Sequence, residues 1–157
     1  KIISVVTADQ MLNETLKHFE NSDITIMSAA VSDYKPKTKL SYKIKKQNDE
    51  PLSLDLVQNS DILKLLGNKK KKNQILIGFA LETDNELQNA NNKIKSKNLD
   101  AIVLNSLNDM GAGFGYDTNK VTYINNKGTV KNFKLKSKDE VSIDILDQLI
   151  TDFHEKI

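Results

Sequence analysis

Three short segments gather residue types suited to holding a polyanion. Ser28-Ala29-Ala30-Val31-Ser32-Asp33-Tyr34 joins small apolar residues to a carboxylate, Lys43-Ile44-Lys45-Lys46 concentrates cations, and Gly78-Phe79-Ala80-Leu81-Glu82-Thr83 sets a glycine beside an aromatic ring. A run of small residues ending in an acid suits the point where a buried strand stops at a ligand crevice. There Asp33 could accept from a ribose hydroxyl or help hold a cation; a turn or helix cap fits it equally well. Lys43 and Lys45 flank Ile44 and would share one face of a strand, where two ammonium groups can close over a phosphate chain. An edge strand kept soluble by lysines is the plainer reading. Lys93 and Lys97 are four apart and so share a helical face, with Lys95 nearby, and a solvated face explains them as simply. Phe79 could lay its ring on a base or belong to the core. Together the segments describe a pocket for a flat polyanion, and a nucleoside triphosphate fits.

Other chemistries have less support. His18 and His154 fall in helical patterns without a second ligand at metal spacing, which argues against a zinc site or a histidine base. Neither a Walker loop nor G-x-G-x-x-G occurs. The chain has no arginine, so the planar fork that grips phosphate bidentately is missing. An anion must be met by lysine point charges, backbone amides and helix N-termini. A lysine-driven nucleic-acid binder using Lys69–Lys72 and Lys43–Lys46 would lack both arginine and interleaved aromatics. The net charge of +2 is also too small to argue for one.

These groups need a scaffold, and 157 residues suffice for one domain with a proper core. Apolar residues make up 38% and charged ones 28%, as in a soluble globular protein. No apolar run reaches the roughly 18–20 residues of a membrane span, and the first residues lack a signal-peptide pattern. The absence of cysteine suits a cytoplasmic protein.

Ile2–Val6 reads as a short buried strand. Thr7 and Gln10 have capping-box spacing and open a helix with Met11, Leu12, Leu16 and Phe19 on one face. Ile24–Met27 reads as a second strand, and this strand–helix–strand order predicts a parallel crossover. Lys35–Lys39, with Pro36, reads as an exposed turn or loop. Ser41–Lys46 and Leu52–Val57 alternate like half-exposed strands and predict a two-stranded arm around residues 47–51. Asn59-Ser60-Asp61 caps a short helix, Ile62–Leu66, ended by Gly67. Lys69–Lys72 reads as a solvated turn. Ile75–Ile77 is a third strand, Thr83 or Asp84 starts a helix running to about Lys97, and Ala101–Leu104 is a fourth, parallel strand. The glycine-bearing stretch Gly111–Asn119 could wrap a ligand. Val121–Ile124 and Thr129–Leu135 form a hairpin across Asn126-Lys127-Gly128. Ser137 and Glu140 make a second capping box, opening a helix that turns Val141, Ile145, Leu149 and Phe153 inward. The expected fold is a single α/β domain over 1–157, Rossmann-like and three-layered, with a mainly parallel sheet, a protruding two-stranded arm and a C-terminal hairpin. Strand ends at Ala29–Asp33, Gly78–Glu82 and Leu104–Asn108 would then meet at one rim.

As a collinear series, these stretches resemble phosphopantothenoylcysteine synthetase, the ligase of coenzyme A biosynthesis. The likeness runs through Ala29–Tyr34, Lys43–Lys46, Leu56–Ile62, Ile77–Thr83, Lys93–Asp100, Gly113-Phe114 ahead of Asn119, and Ser137-Lys138, which is nearly the whole chain. The resemblance implies that CTP and 4'-phosphopantothenate form an acyl-cytidylate with loss of pyrophosphate. The amine of L-cysteine then displaces CMP. It implies nucleotide contacts at Met27, Ser28, Ala29, Asp33, Lys43, Ser60, Asp61, Ile62, Leu63, Phe79, Lys93 and Lys97, with Lys43 as the catalytic cation and Mg2+ accompanying the triphosphate. This favours the phosphate-binding reading of Lys43, Lys93 and Lys97 over the plainer ones. The physics agrees. Attack at the α-phosphate pushes charge onto the leaving pyrophosphate, and lysines fixed there favour that state. At an effective dielectric near 20, one lysine about 4 Å from a phosphate charge gains roughly 4 kcal/mol before desolvation.

The resemblance also implies a homodimer, joined through strands at 41–57 or 121–135, and a frequent fusion behind a flavin-dependent decarboxylase. Two features depart from it. Ser60 stands where the family commonly has proline, and the family's earlier glycine-rich region, with an arginine and an asparagine serving the acyl intermediate, is missing here. The chain is therefore expected to be the C-terminal portion of a larger synthetase that binds nucleotide weakly and does not turn over alone. The alternative is a non-catalytic nucleotide-binding module on the same fold.

Overall fold

The computed structural model describes residues 1–45, 52–106, 111–112 and 115–156. Helix α1 (Ala8–Phe19) begins at the expected capping box: Gln10 N–H donates to Thr7 Oγ1 at 3.2 Å, and Thr7 N–H donates to Gln10 Oε1 at 3.1 Å. Strand β1 (Ile24–Met27) follows, then β2 (Tyr34–Pro36), β3 (Leu56–Gln58), α2 (Ile62–Lys69), β4 (Ile75–Glu82), α3 (Glu86–Ser96) and β5 (Ala101–Ser106). The chain ends with β6 (Thr118–Asn119), β7 (Val121–Asn125), β8 (Val130–Asn132), β9 (Lys136–Ser137) and α4 (Lys138–Phe153).

The main sheet has the order β1-β4-β5-β7-β8. Strands β1, β4 and β5 run parallel, with Met27 opposite Gly78 and Phe79 opposite Val103. The predicted C-terminal hairpin completes this sheet: β7 pairs antiparallel with β5, and β8 with β7. Its turn closes at Gly128, whose φ of 92° suits glycine.

Alternation along the central strands splits the core into two layers. Leu76, Ile102, Leu104 and Ile124 face a cluster with Phe19, Ile62, Leu66, Ala90 and Ile94 from α1, α2 and α3. Ile75, Ile77, Val103, Val121 and Tyr123 face the other side, where α4 inserts Val141, Ile145, Leu149 and Phe153. All four α4 residues expected inward are buried. Helices thus cover both faces of the sheet, the three-layer Rossmann-like arrangement expected.

Several expectations need correction. Ile2–Val6 forms no strand, and all five residues are exposed. Val6 N–H is taken by Gln10 Oε1 at 2.8 Å, and Ile3 and Val5 line a cleft of about 390 Å³ that separates them from β1. The crossover expected from Ile2–Val6 through α1 to β1 is therefore absent among the described residues, and β1's parallel neighbour is β4. The arm pairs nearer its base than predicted: Tyr34 is opposite Gln58 and Pro36 opposite Leu56, extended by Lys37 N–H donating to the Asp55 carbonyl at 2.8 Å. Residues 41–45 and 52–55 are not strand, while Lys35-Pro36, read as loop, are. Proline is tolerated because a two-stranded ribbon has only edges. Helix α3 starts later than expected, behind Asn85 in the left-handed conformation (φ 46°).

Helix α2 runs through Gly67 to Lys69. Gly67 therefore serves close approach: a Cβ there would lie 1.8 Å from the Lys97 carbonyl oxygen. Nor is the lysine run merely a solvated turn. Lys70 Nζ donates to Asp100 at 2.7 Å with its side chain 9% exposed, and Lys71 Nζ reaches the Glu20 carbonyl at 3.1 Å. Asp100 is buried and also accepts from Leu76 N–H (2.9 Å) and Lys156 Nζ (3.3 Å). It pins the starts of β4 and β5 and the segment after α4 together, at the end of the sheet opposite the carboxyl ends of the parallel strands.

Candidate functional site

Strand β1 stops at Met27. The chain continues as Ser28-Ala29-Ala30, all exposed, before Val31 turns back into the core beside α1 and α2. Small side chains leave this strand end open to a ligand. Because Met27 is opposite Gly78, Ser28 emerges next to Phe79. The Phe79 ring is half-buried and packs with the cluster on the α4 side.

Asp33 is exposed at the start of the arm. Its carbonyl accepts from Asn59 N–H at 2.7 Å, and Asn59 Nδ2 donates to the Ser32 carbonyl and hydroxyl at 2.9 and 3.3 Å. Asn59 is buried, so this side chain staples the first predicted segment to the turn entering α2. Asp61 is the N-cap there, accepting from Lys64 N–H at 3.0 Å. The first helical amides, on Ile62 and Leu63, precede any intrahelical acceptor and can face an anion. Ile62's side chain is core and Leu63's packs against Gly78, so these two residues offer a ligand mainly their backbone.

Lys97 reaches this turn from the far end of α3, its Nζ 2.9 Å from Asp61 Oδ2. Partial burial works to raise the Asp61 pKa, but the Lys97 ammonium and Lys64 N–H outweigh it and hold the carboxyl below its ordinary value. Lys93 lies one turn earlier. Its Nζ is 2.5 Å from Glu82 Oε1, at the last residue of β4, and Asn89 Nδ2 donates to Glu82 Oε2 at 3.1 Å. At the end of β5, Asn105 Oδ1 accepts from Asn119 Nδ2 at 3.0 Å.

The structure thus links Asp33, the Ser60–Leu63 turn and Lys97 in one connected set, and sets Met27, Ser28 and Ala29 beside Phe79. Lys93 joins the same rim through Glu82. The ring of Phe79 and the two lysines lie on opposite faces of the sheet, since Phe79 packs on the α4 side and Glu82 points toward α3. Lys43 and Lys45 are exposed and outside any strand, and among the described residues Lys43 makes no ion pair. Lys46, Asn108, Gly113 and Phe114 lie outside the described residues. Pattern reading gave Asn59 only a place in a helix cap, missing its staple to Ser32 and Asp33, and passed over the Glu82–Asn89 and Asn105–Asn119 pairs. Only Asn89 and Lys93, four apart, carried a local signal.

Two clefts lie elsewhere, one between residues 3–5, α1 and β1, the other of about 420 Å³ between the end of α3 and the Asn125–Gly128 turn. Among the described residues no cluster of acids and histidines gathers to hold a metal ion, and no helix is long and apolar enough to cross a membrane. The rim offers helix-terminal amides, two lysines steadied by carboxylates and an exposed aspartate, a chemistry suited to a phosphorylated ligand.

Comparison with known proteins gives the same direction. The sequence matches the family described as DNA/pantothenate metabolism flavoprotein C-terminal domain over residues 1–153. It is 46% identical over 153 residues to a protein named cysteine/cysteine sulfinic acid decarboxylase from an unknown prokaryotic organism, covering 98% of this chain and 42% of that protein. It is 44% identical over 149 residues to the coenzyme A biosynthesis bifunctional protein CoaBC of Bacillus subtilis, covering 95% of this chain and 36% of that one. The chain therefore spans about two fifths of the length of these relatives. The crystal structure of the C-terminal domain of a CoaBC protein superimposes with a TM-score of 0.77 at 37% identity, covering 98% of this chain and 68% of that one. With a family match across almost its whole length and the same fold in a CoaBC C-terminal domain, the chain belongs to the DNA/pantothenate metabolism flavoprotein C-terminal domain family.

Proposed function

We propose that this chain is the synthetase unit that joins 4'-phosphopantothenate to L-cysteine at the expense of CTP, in the cytoplasm, as part of coenzyme A biosynthesis. The observation that carries this reading is the pair of lysines from the last turn of α3 and its C-cap, Lys93 and Lys97, whose ammonium groups are held by Glu82 at the end of β4 and by Asp61 at the start of α2. The named CoaBC relatives supply the pathway.

In the reaction, a carboxylate oxygen of phosphopantothenate bonds to the α-phosphorus, and the bond to the bridging oxygen breaks to release pyrophosphate. The cysteine amine then attacks the acyl carbon, loses a proton and expels CMP. The chain's part is to bind and orient. Ser28-Ala29 leave room for the nucleoside, the α2 amides and Asp33 fix its polar groups, and Lys93, Lys97 and the arm's Lys43 meet the phosphates. Charge growing on pyrophosphate is then stabilised where donors already stand. Mg2+ would enter with the triphosphate, since magnesium is commonly held by substrate phosphates with one or two carboxylates, and the exposed Asp33 carboxylate would suit such a contact.

The arm presents Tyr34, Leu40, Tyr42, Ile44, Leu52, Leu54 and Leu56 to solvent. So large an exposed apolar set favours burial against a second copy in a homodimer. The relative named a decarboxylase shares only 42% of its length with this chain; a decarboxylase unit fused alongside would account for its name. A non-catalytic nucleotide-binding module is the second reading, favoured by the chain's spanning only about two fifths of its relatives' length.

Calorimetry with CTP, ATP and a short oligonucleotide tests the binding, and a ligation assay on the full open reading frame tests the chemistry. CTP should bind, the oligonucleotide should not, and pyrophosphate and CMP should appear only with phosphopantothenate and cysteine present. CTP binding without ligation in the full-length protein would support the module instead.

A further inference from the structure

We propose that Glu82 is a positioning residue, fixing the Lys93 ammonium for the phosphate chain of a nucleoside triphosphate; this rests on the functional reading above. Glu82 ends β4, and its side chain is only 13% exposed. Its two oxygens are divided. Oε1 takes Lys93 Nζ at 2.5 Å and Oε2 takes Asn89 Nδ2 at 3.1 Å. Asn89 is fixed in turn, since the same Nδ2 also donates to the Asp84 carbonyl at 2.9 Å. Asn89 and Lys93 are one helical turn apart on α3, so the carboxylate bridges strand end and helix at two points.

A lysine at 40% exposure on a four-carbon stem would otherwise sweep many rotamers. Its ammonium has three donors, and Glu82 uses one, leaving others for phosphate oxygens. Asn89 holds the second oxygen of this carboxylate toward the helix. Glu82 thus converts a mobile charge into directed donors. Lys97 has a different arrangement: its partner Asp61 is 42% exposed and is already engaged as a helix cap.

Titration calorimetry of the 157-residue chain with Mg–CTP and with CMP tests this, using Glu82→Gln, Lys93→Gln and the double variant. Glu82→Gln should weaken CTP binding by about five- to tenfold, leave CMP affinity unchanged, and add nothing to Lys93→Gln in the double variant. Asn89→Ala, which frees the second oxygen without touching the charge, should weaken CTP in the same direction by less, and it serves if Glu82→Gln does not fold. Tighter CTP binding in Glu82→Gln would make the carboxylate a competitor and overturn the proposal, as would equal losses for CTP and CMP or additive losses in the double variant. Normal CTP binding by Lys93→Gln would overturn it as well. A folded wild-type chain that takes no CTP would instead overturn the functional reading on which it rests.

Discussion

Replacing Gly67 with alanine separates helix propensity from tertiary fit at the point where the scaffold meets the site. In isolation, alanine in a helix interior is favoured over glycine by about 1 kcal/mol. Here the new Cβ would stand 1.8 Å from the Lys97 carbonyl oxygen and 2.8 Å from its carbon. Ordinary contact begins at 3.4 Å, so α2 and α3 must part by roughly 1.6 Å, and both obstructing atoms are backbone that cannot rotate away. Overpacking of this kind costs about 3 kcal/mol, the upper end of its usual range, leaving a net loss near 2 kcal/mol. For a domain of this size that is about 4–8 °C in melting temperature. Urea unfolding by circular dichroism measures it. Displacing the Lys97 carbonyl also draws its ammonium from Asp61, so CTP affinity should drop at temperatures where the variant is fully folded. A variant melting at or above wild type would refute the reasoning, showing that the helices separate freely and propensity wins.

Three further outcomes are expected. Lys43→Gln should lower ligation in the full open reading frame by about 10²-fold or more with little change in melting temperature, since the exposed Lys43 makes no ion pair among the described residues; equal loss of stability would make the residue structural. Asp100→Asn should cost about 3–5 kcal/mol by urea unfolding, because the nearly buried Lys70 ammonium loses its charge partner, yet leave CTP affinity unchanged at the opposite end of the strands. The pKa of Asp61 is lowered in the folded state, so its contribution is present above the unfolded value near 3.8 and is lost as pH falls through the depressed one. Asp61→Asn should accordingly be less stable than wild type at pH 7, with the gap closing below about pH 4 in urea titrations.

What could be read from the chain depended on range. Both capping boxes and the inward face of α4 rest on spacings within one or two turns, and they hold. Ile2–Val6 has a strand's composition, but a strand exists only with a ladder partner, and the cap at Gln10 takes one of its amides. The arm's alternation at 41–46 and 52–57 was real, yet pairing settled at its base, where Tyr34 meets Gln58. Gly67 looks like a helix stop until α3 is seen against it, and Lys70 looks solvated until Asp100 is seen beneath it. At the rim, Asp33 meets Asn59 because the antiparallel β2–β3 ribbon closes there, a pairing that no spacing in the sequence announced. The bond from Lys93 to Glu82 joins a helix to a strand eleven residues earlier, and no local periodicity encodes that.

Amide chemical-shift mapping of the isotopically labelled chain with Mg–CTP bears most directly on the claim that the carboxyl ends of β1 and β4, with the start of α2, form a triphosphate site. Shifts should concentrate at Ser28–Ala30, Asp33, Ser60–Leu63, Lys93 and Lys97, with Lys70, Asp100 and Gly128 unmoved. Shifts gathered instead around Asn98 and Asn126–Gly128, or none at saturating nucleotide, would contradict it.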